Sequence, residues 1–348
     1  MKKLRFGIIG AGGIADRRTL PGMMLAKNVE VVAVMEINEN DAERLRKKYS
    51  AKYAYTSAEQ VVNNPEVDAV YIASPVVFHV AQAKLAAEKG KHILIEKPIS
   101  LDIQEGEELL KYCAEKNVKI AAGFMMRFGA HILNMKSAIK EGKIGKVVSG
   151  YSQFTLWLPN SSNNWRLDKS KAGGGALTDM GVHCVDLLEY ILDTRVKRVA
   201  AINSNTVFDY SVEDSSSVLL DMENGAQCVV QTNFNIPDEA SKWRLEFFGT
   251  KGRLLGDTII GQIDGGKLNA LFLGENKDYD PEQTHSDEKG VYLDAEFGNM
   301  YTREVESFAD SIINDKPLVV PASDALHIQK VIAAAYESSE KNIIVEIH

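Results

Sequence analysis

Cysteine is scarce in this chain of 348 residues: Cys113, Cys184 and Cys228 are all there are. The number is odd and no CxxC pair occurs, so neither a disulfide framework nor a zinc knuckle is suggested. A reducing compartment, the cytoplasm, is expected. No apolar run approaches the ~18 residues that a membrane span needs. The start, MKKLRFGIIGAGGIADRR, superficially resembles a signal peptide, but Arg5 interrupts it and Asp16-Arg17-Arg18 ends it. A strand followed by a glycine turn explains it better. No HExxH or clustered Cys/His spacing points to a metal, and none is expected. No GxSxG elbow points to a serine hydrolase. There is no large basic block, and the net charge is −8. Neither nucleic acid nor an anionic membrane is therefore expected as the main partner. Internal repeats and low-complexity segments are also missing.

What is present is ordinary for a globular protein: 45% hydrophobic and 25% charged residues. The length suits two domains of roughly 100–200 residues each. Residues 1–123 alternate short β-branched runs (4–9, 30–35, 52–56, 68–73, 92–95, 118–122) with helical stretches (13–26, 39–49, 57–63, 78–89, 102–116). Asp102 is a candidate N-cap of the last. This alternation predicts a parallel, doubly wound sheet with helices on both faces. From about residue 124 the texture changes. Helices are expected over 130–141 and 178–192. Strands are expected at 145–155, 196–207, 215–222, 226–236 and 243–249, joined by turns such as Glu223-Asn224-Gly225. That pattern predicts a large antiparallel sheet. The acidic stretch 274–290 reads as a surface loop, and two helices with apolar stripes (Val305, Phe308, Ile312; Leu326, Ile328, Val331, Ile332, Ala335) close the chain. The domains expected are 1–123 and 124–348.

Gly10-Ala11-Gly12-Gly13-Ile14-Ala15 is a GxGxxA fingerprint between a predicted strand and a predicted helix. Gly10 permits the tight turn, Gly12 lets backbone approach a pyrophosphate, and Ala15 lets helix and strand pack. The free N–H groups at the helix start, around Gly13 and Ile14, then face the phosphates. Glu36 ends the second strand, 21 residues after Ala15, where a carboxylate should meet ribose hydroxyls. Ser74-Pro75 follows the fourth strand and Glu96-Lys97-Pro98 the fifth. These sites share the carboxyl edge of one sheet, where ligands bind. Lys97 reads as chemical, or else as a partner of Glu96 or of cofactor phosphate. His79 and His92 read as structural or cofactor-adjacent; His131, His285, His327 and His348 lack a partner pattern. In GGGALTDMGVHCVDLL (173–188), Asp179, His183 and Asp186 share one helix face. A carboxylate beside a histidine suits proton transfer to a hydroxyl, and the glycines before it would give a ligand access to backbone. Trp165-Arg166 is either a wall of the substrate pocket or a core Trp with a surface Arg.

The segments GIIGAGGIA, ASPVVFH (73–79), GKHILIEKP (90–98), GFMMRF (123–128) and GGGALTDMGVH (173–183), in this order, resemble the Gfo/Idh/MocA oxidoreductases, and the likeness covers essentially the whole chain. The resemblance implies a Rossmann domain followed by an α+β domain with a large, open, mostly antiparallel sheet. It implies NAD or NADP and a sugar, polyol or related substrate. It makes Lys97 the catalytic lysine and Asp179 with His183 the aspartate–histidine pair, and places Arg127 of GFMMRF with the cofactor residues. Val76 stands where an asparagine often follows the proline, so that side chain cannot supply the family's hydrogen bond to cofactor. It also implies sheet-to-sheet dimers, often paired into tetramers. Glu36 favours NAD over NADP, with Arg17 and Arg18 able to blur the preference. Two rival readings are an NAD-dependent glycosidase with transient oxidation and a non-catalytic dinucleotide-binding regulator.

Overall fold

The computed structural model describes residues 2–161, 164–274, 281–282 and 289–347. Most of the acidic stretch expected as a surface loop, 275–280 and 283–288, lies outside the described residues. The chain forms two compact units, Met1–Phe128 with Asn299–Gln329, and Gly129–Gly298 with Lys330–His348.

The first unit is built on six strands: β1 (Leu4–Ile9), β2 (Val29–Met35), β3 (Tyr53–Tyr55), β4 (Ala69–Ile72), β5 (His92–Ile95) and β6 (Ile120–Ala122). All pair in parallel, in the order β3-β2-β1-β4-β5-β6. Phe6, Ile8, Ile72, Ile93 and Ile95 are fully buried, as a parallel sheet covered on both faces requires. Helix starts follow their caps. Asn38 accepts the amides of Asn40 and Asp41, Ser57 and Gln60 form a capping box, and Asp102 accepts Glu105 N. The order reverses between β1 and β4, which creates a crevice at their carboxyl ends. The helix Met300–Ile313 belongs to this unit, although a single cut at 123/124 would assign it elsewhere. Its apolar stripe covers β1, with the Phe6 and Phe308 rings 5.8 Å apart.

Among the described residues the second unit holds nine strands: β7 (Val147–Thr155), β8 (Val196–Ser204), β9 (Ser215–Met222), β10 (Gln227–Asn233), β11 (Leu245–Gly249), β12 (Gly252–Asp257), β13 (Lys267–Phe272), β14 (Val291–Tyr292) and β15 (Val345–Glu346). Their order is β14-β13-β12-β11-β7-β10-β9-β8-β15. The β7–β10 pair is parallel and every other pair is antiparallel. Side chains alternate across the pleat. Leu220, Cys228, Val230 and Phe247 are buried, and the helix Val182–Leu192 packs on β7 and β10. The other face leaves Ile202, Leu219 and Phe248 exposed. No helix among the described residues is long and apolar enough to cross a membrane.

Candidate functional site

In the first unit the glycine turn follows β1 directly. Gly10 has φ +78°, and a Cβ there would lie 2.6 Å from Ser74 N. Only glycine fits a left-handed turn pressed against backbone. At Gly12 a Cβ would meet Glu36 Oε1 at 2.8 Å, while Gly13 (φ +54°) faces open space. Ala15 is fully buried in the core behind the turn. Ile14, at the N-cap position, supplies no side-chain cap. The helix that follows begins with a π-wound turn, Ala15–Thr19, before continuing over Leu20–Leu25. This is a backbone cradle with open space at Gly13 and no side-chain cap on the helix start that follows it. Its shape and donor set fit a dinucleotide's pyrophosphate.

Glu36 sits beside this cradle and accepts Gly12 N at 2.6 Å. Ser74 Oγ donates to Gln82 Oε1 at 2.6 Å, and Pro75 leads into a short 3-10 turn, Val76–Phe78. The buried His79 ties two strand ends together. Its Nε2 lies 2.8 Å from Ser74 O and its Nδ1 2.9 Å from Pro98 O. Burial holds its pKa below the ordinary imidazole value, against the pull of the two carbonyls. Lys97 is half-buried after β5, and the Lys97–Pro98 peptide is cis. Next to it, Glu96 Oε1 accepts Tyr71 OH at 2.5 Å, and Tyr71 OH lies 2.9 Å from Thr19 Oγ1. Burial raises the Glu96 carboxyl, opposed by the Tyr71 hydrogen bond and the charge of Lys97. Arg127 lies in the 3-10 turn Met125–Phe128 that follows β6 on the same sheet edge. It is 2% exposed, and its Nη1 donates to Val319 O and to Asp324 Oδ2, both at 2.8 Å. It ties the turn after β6 to Val319 and to Asp324 in the first turn of the last helix, Ala322–Lys341.

In the second unit, Asp179, His183 and Asp186 lie on one continuous helix. Its first turn, Leu177–Gly181, is π-wound, and α geometry begins at Val182. Both glycine-rich helix starts therefore carry a π turn, a feature often found at functional sites. Asp179 is half-buried, His183 is 7% exposed and Asp186 is fully buried. The face therefore runs from an accessible carboxylate inward. Arg166 Nε lies 3.4 Å from Asp179 Oδ2, and its guanidinium carbon sits 5.0 Å over the Trp165 ring. The structure thus brings Trp165, Arg166 and Asp179 together, with Trp165 exposed.

Of the three glycines before this helix, Gly173 (φ +76°) faces open space, while Gly174 and Gly175 make room for packing. A Cβ at Gly174 would lie 2.0 Å from Tyr336 Oη, and one at Gly175 would lie 2.0 Å from Glu213 O. The buried Glu213 is a functional candidate that sequence reasoning missed. Its carboxylate accepts Gly175 N (3.0 and 2.9 Å), Leu177 N (2.9 Å) and Tyr336 OH (2.8 Å). Tyr336 also lies 2.9 Å from Thr178 Oγ1. Glu213 thereby caps the start of the Asp179–His183 helix from a position 38 residues away from Gly175. Nothing local in SVEDSSS signals this. Among the described residues no cluster of His, Cys, Asp or Glu could hold a metal ion.

Two family models match the chain: an oxidoreductase family with an NAD-binding Rossmann fold over residues 4–124, and the GFO/IDH/MocA C-terminal domain over 132–255. The chain is 29% identical over 99% of its length to D-xylose 1-dehydrogenase (NADP(+)) 2 of Haloferax volcanii, covering 100% of that protein. It is 30% identical over 74% of its length to 1,5-anhydro-D-fructose reductase of Ensifer adhaerens, covering 77% of it. The crystal structure of an NAD binding oxidoreductase from Klebsiella pneumoniae superposes with a TM-score of 0.86 at 24% identity, covering 99% of each chain.

Proposed function

The chain belongs to the Gfo/Idh/MocA family of NAD(P)-dependent oxidoreductases acting on CH–OH groups. From that premise we propose that it transfers a hydride between NAD and a secondary alcohol or ketone of a sugar or polyol. The observation that carries this reading is the glycine cradle, with Gly10 and Gly12 pressed against Ser74 and Glu36 and with Gly13 open. Gly10, Gly12, Gly13, Ile14 and Ala15 would hold the pyrophosphate, and Glu36 the adenosine ribose hydroxyls. Ser74, Pro75, His79 and Glu96 shape the neighbouring strand ends. The relatives' names supply the substrate class, since a xylose dehydrogenase and an anhydrofructose reductase both act on sugars.

The nicotinamide supplies the hydride chemistry when bound. The chain's task is to hold the alcohol and manage its proton. His183 takes the hydroxyl proton during oxidation and returns it during reduction. Asp179, held by Arg166, orients the ring or the substrate hydroxyl. Lys97 offers a fixed positive charge to the developing alkoxide. Trp165 and Arg166 contribute substrate contacts.

The test is a panel of sugars and polyols followed by nicotinamide absorbance with both cofactors. Net reduction is expected, with kcat/KM about tenfold or more higher with NAD than with NADP, because the Glu36 carboxylate repels a 2′-phosphate. Tighter binding of NADP would overturn the cofactor assignment. Glycoside cleavage without net reduction would select the glycosidase, and binding with neither reaction the regulator.

The assembly follows from the sheet. On the face of the nine-stranded sheet opposite the helix Val182–Leu192, Leu219 and Ile202 are 50% and 73% exposed, next to the half-buried Val229 and Tyr151. Leu219, Val229, Tyr151 and Glu246 are successive cross-strand neighbours. Apolar side chains on an open sheet face call for a partner, and a two-fold pair of identical faces supplies one. Light scattering at micromolar concentration is expected to give a dimer or tetramer. Leu219→Asp with Val229→Asp should lower the mass toward that of a single chain; a monomeric wild type contradicts the assignment.

A further inference from the structure

The chain has three tryptophans. Trp243 anchors its indole N–H on Thr155 O at 2.9 Å, but Trp157 is 43% exposed. The Trp157 ring meets Phe208 edge-on at 5.4 Å, and Phe208 stacks on Tyr210 at 5.5 Å with planes 27° apart. Both partners are half-buried. The result is a chain of three rings that runs from the exposed Trp157 through Phe208 to Tyr210, whose hydroxyl is buried. Its rim is polar: Asn160 Nδ2 donates to Asp209 Oδ1 at 2.7 Å.

The loop that carries Phe208 and Tyr210 is held rigidly. Asn205 Nδ2 donates to the carbonyls of Phe208 (3.2 Å), Tyr210 (3.3 Å) and Val212 (2.6 Å). From the other side the Asp214 carboxylate accepts the amides of Thr206 (2.9 Å), Val207 (2.8 Å) and Phe208 (2.9 Å). Those bonds hold its pKa down at about 2, against burial, which raises it. Core packing explains neither device, because the loop's residues 205–207 and 209 are exposed. The loop also buttresses the substrate side. Ser211 Oγ accepts Lys169 N at 2.8 Å and donates to Leu167 O at 3.1 Å. Those residues flank the turn that sets Trp165 and Arg166 beside Asp179. Tyr210 itself packs against the buried cluster of Ala176, Met180 and Phe234, which includes the neighbour of Asp179 in the helix.

We propose that Trp157, Phe208 and Tyr210, rimmed by Asn160 and Asp209, form a second carbohydrate subsite, which takes the non-reacting ring of a glycoside or disaccharide. This rests on the reading that the enzyme oxidises sugars. A pyranose presents apolar C–H faces and equatorial hydroxyls. The exposed Trp157 ring, braced edge-on by Phe208 and with the Asp209 carboxylate and Asn160 amide paired beside it, offers contacts to both, and rigid rings lose little entropy on binding. Holding the row in place beforehand removes an ordering cost from binding. The substrate class is thereby narrowed to sugars carrying a second ring at the reducing or non-reducing side.

The test compares glucose, galactose and xylose with cellobiose, maltose and lactose. It uses steady-state kcat/KM and saturation-transfer NMR on the cofactor-loaded enzyme, for wild type, Trp157→Ala and Phe208→Leu. In wild type at least one disaccharide should exceed its monosaccharide in kcat/KM, with magnetisation reaching both rings. In Trp157→Ala the disaccharide-to-monosaccharide ratio should fall about tenfold or more, and transfer to the second ring should fade. Phe208→Leu keeps the apolar volume but loses the flat face, so a fall in the ratio there excludes simple unfolding. Ratios equal in wild type and variants, or transfer confined to one ring for every disaccharide, overturn the subsite while leaving sugar oxidation standing. Failure of every sugar to bind or react removes the sugar reading itself and the subsite with it.

Discussion

His183→Ala is expected to lower kcat by about 10²–10⁴-fold, the range for loss of a general acid–base, while direct titration gives NAD affinity close to that of wild type. The imidazole suits the task because its ordinary pKa lies near neutrality, so it can take and return a proton at the same pH. Lys97→Ala should lower kcat by about 10²–10³-fold, as when one electrostatic contact to a developing oxyanion is removed. Its cofactor affinity should also be preserved. The two outcomes separate the roles. If Lys97→Ala loses NAD binding and keeps kcat at saturating cofactor, the lysine anchors phosphate. If His183→Ala retains the wild-type kcat and pH profile, the base lies elsewhere, and Lys97 becomes the next group to test.

The first unit was legible because its signals are local. A parallel sheet buried on both faces needs short apolar runs, and three of its helix starts carry their own caps, Asn38, Ser57 and Asp102. All six strands and the helices between them therefore show in the sequence to within a few residues. The second unit was less so. β12 begins at Gly252 and contains Gly256, whose Cβ would lie 2.2 Å from Ile259 Cδ1. Glycine inside a strand weakens the strand signal where a neighbour packs too close for a side chain. β13 and β14 flank the acidic stretch; β13 alternates only over Lys267–Ala270 before ending in Leu271-Phe272, and the two-residue β14 is too short to alternate. The parallel β7–β10 pair was hidden because pairing partners 78 residues apart leave no local trace.

The site divides in the same way. Gly10, Gly12, Glu36, Lys97, Asp179 and His183 announce themselves by spacing and by position at element ends. The supports do not. His79 bridges Ser74 and Pro98 through backbone carbonyls, and any buried histidine reads alike in sequence. The π turns at Ala15–Thr19 and Leu177–Gly181 shift the winding by one residue without changing the apolar pattern. The glycine triplet 173–175 was conspicuous, but its reason was not: Gly174 and Gly175 make room for Tyr336 and Glu213, which come from distant parts of the chain.

That crowding sets the second large effect. Glu213→Ala removes the acceptor of Gly175 N, Leu177 N and Tyr336 OH at once. Each buried donor left without a partner costs about 1–3 kcal/mol, so a loss on the order of 3 kcal/mol or more is expected. The helix N-terminus also loses a negative charge that complements its dipole. Because the freed turn carries Asp179 and leads to His183, kcat should fall along with thermal stability. Gly175→Ala attacks the same joint from the other side. Its Cβ would lie 2.0 Å from Glu213 O, a backbone atom that cannot swing away. The helix start must therefore shift. Glu213→Gln keeps the volume and one acceptor oxygen but turns an NH₂ toward donors that need an acceptor. It should fall between wild type and Glu213→Ala in both melting temperature and kcat, with NAD affinity unaltered. The graded series distinguishes a cap that positions the Asp179–His183 helix from a residue that only holds the fold. A positioning cap lowers kcat in Glu213→Gln more than its small loss of stability accounts for. If all three variants melt and turn over like wild type, the helix start is held by something other than Glu213.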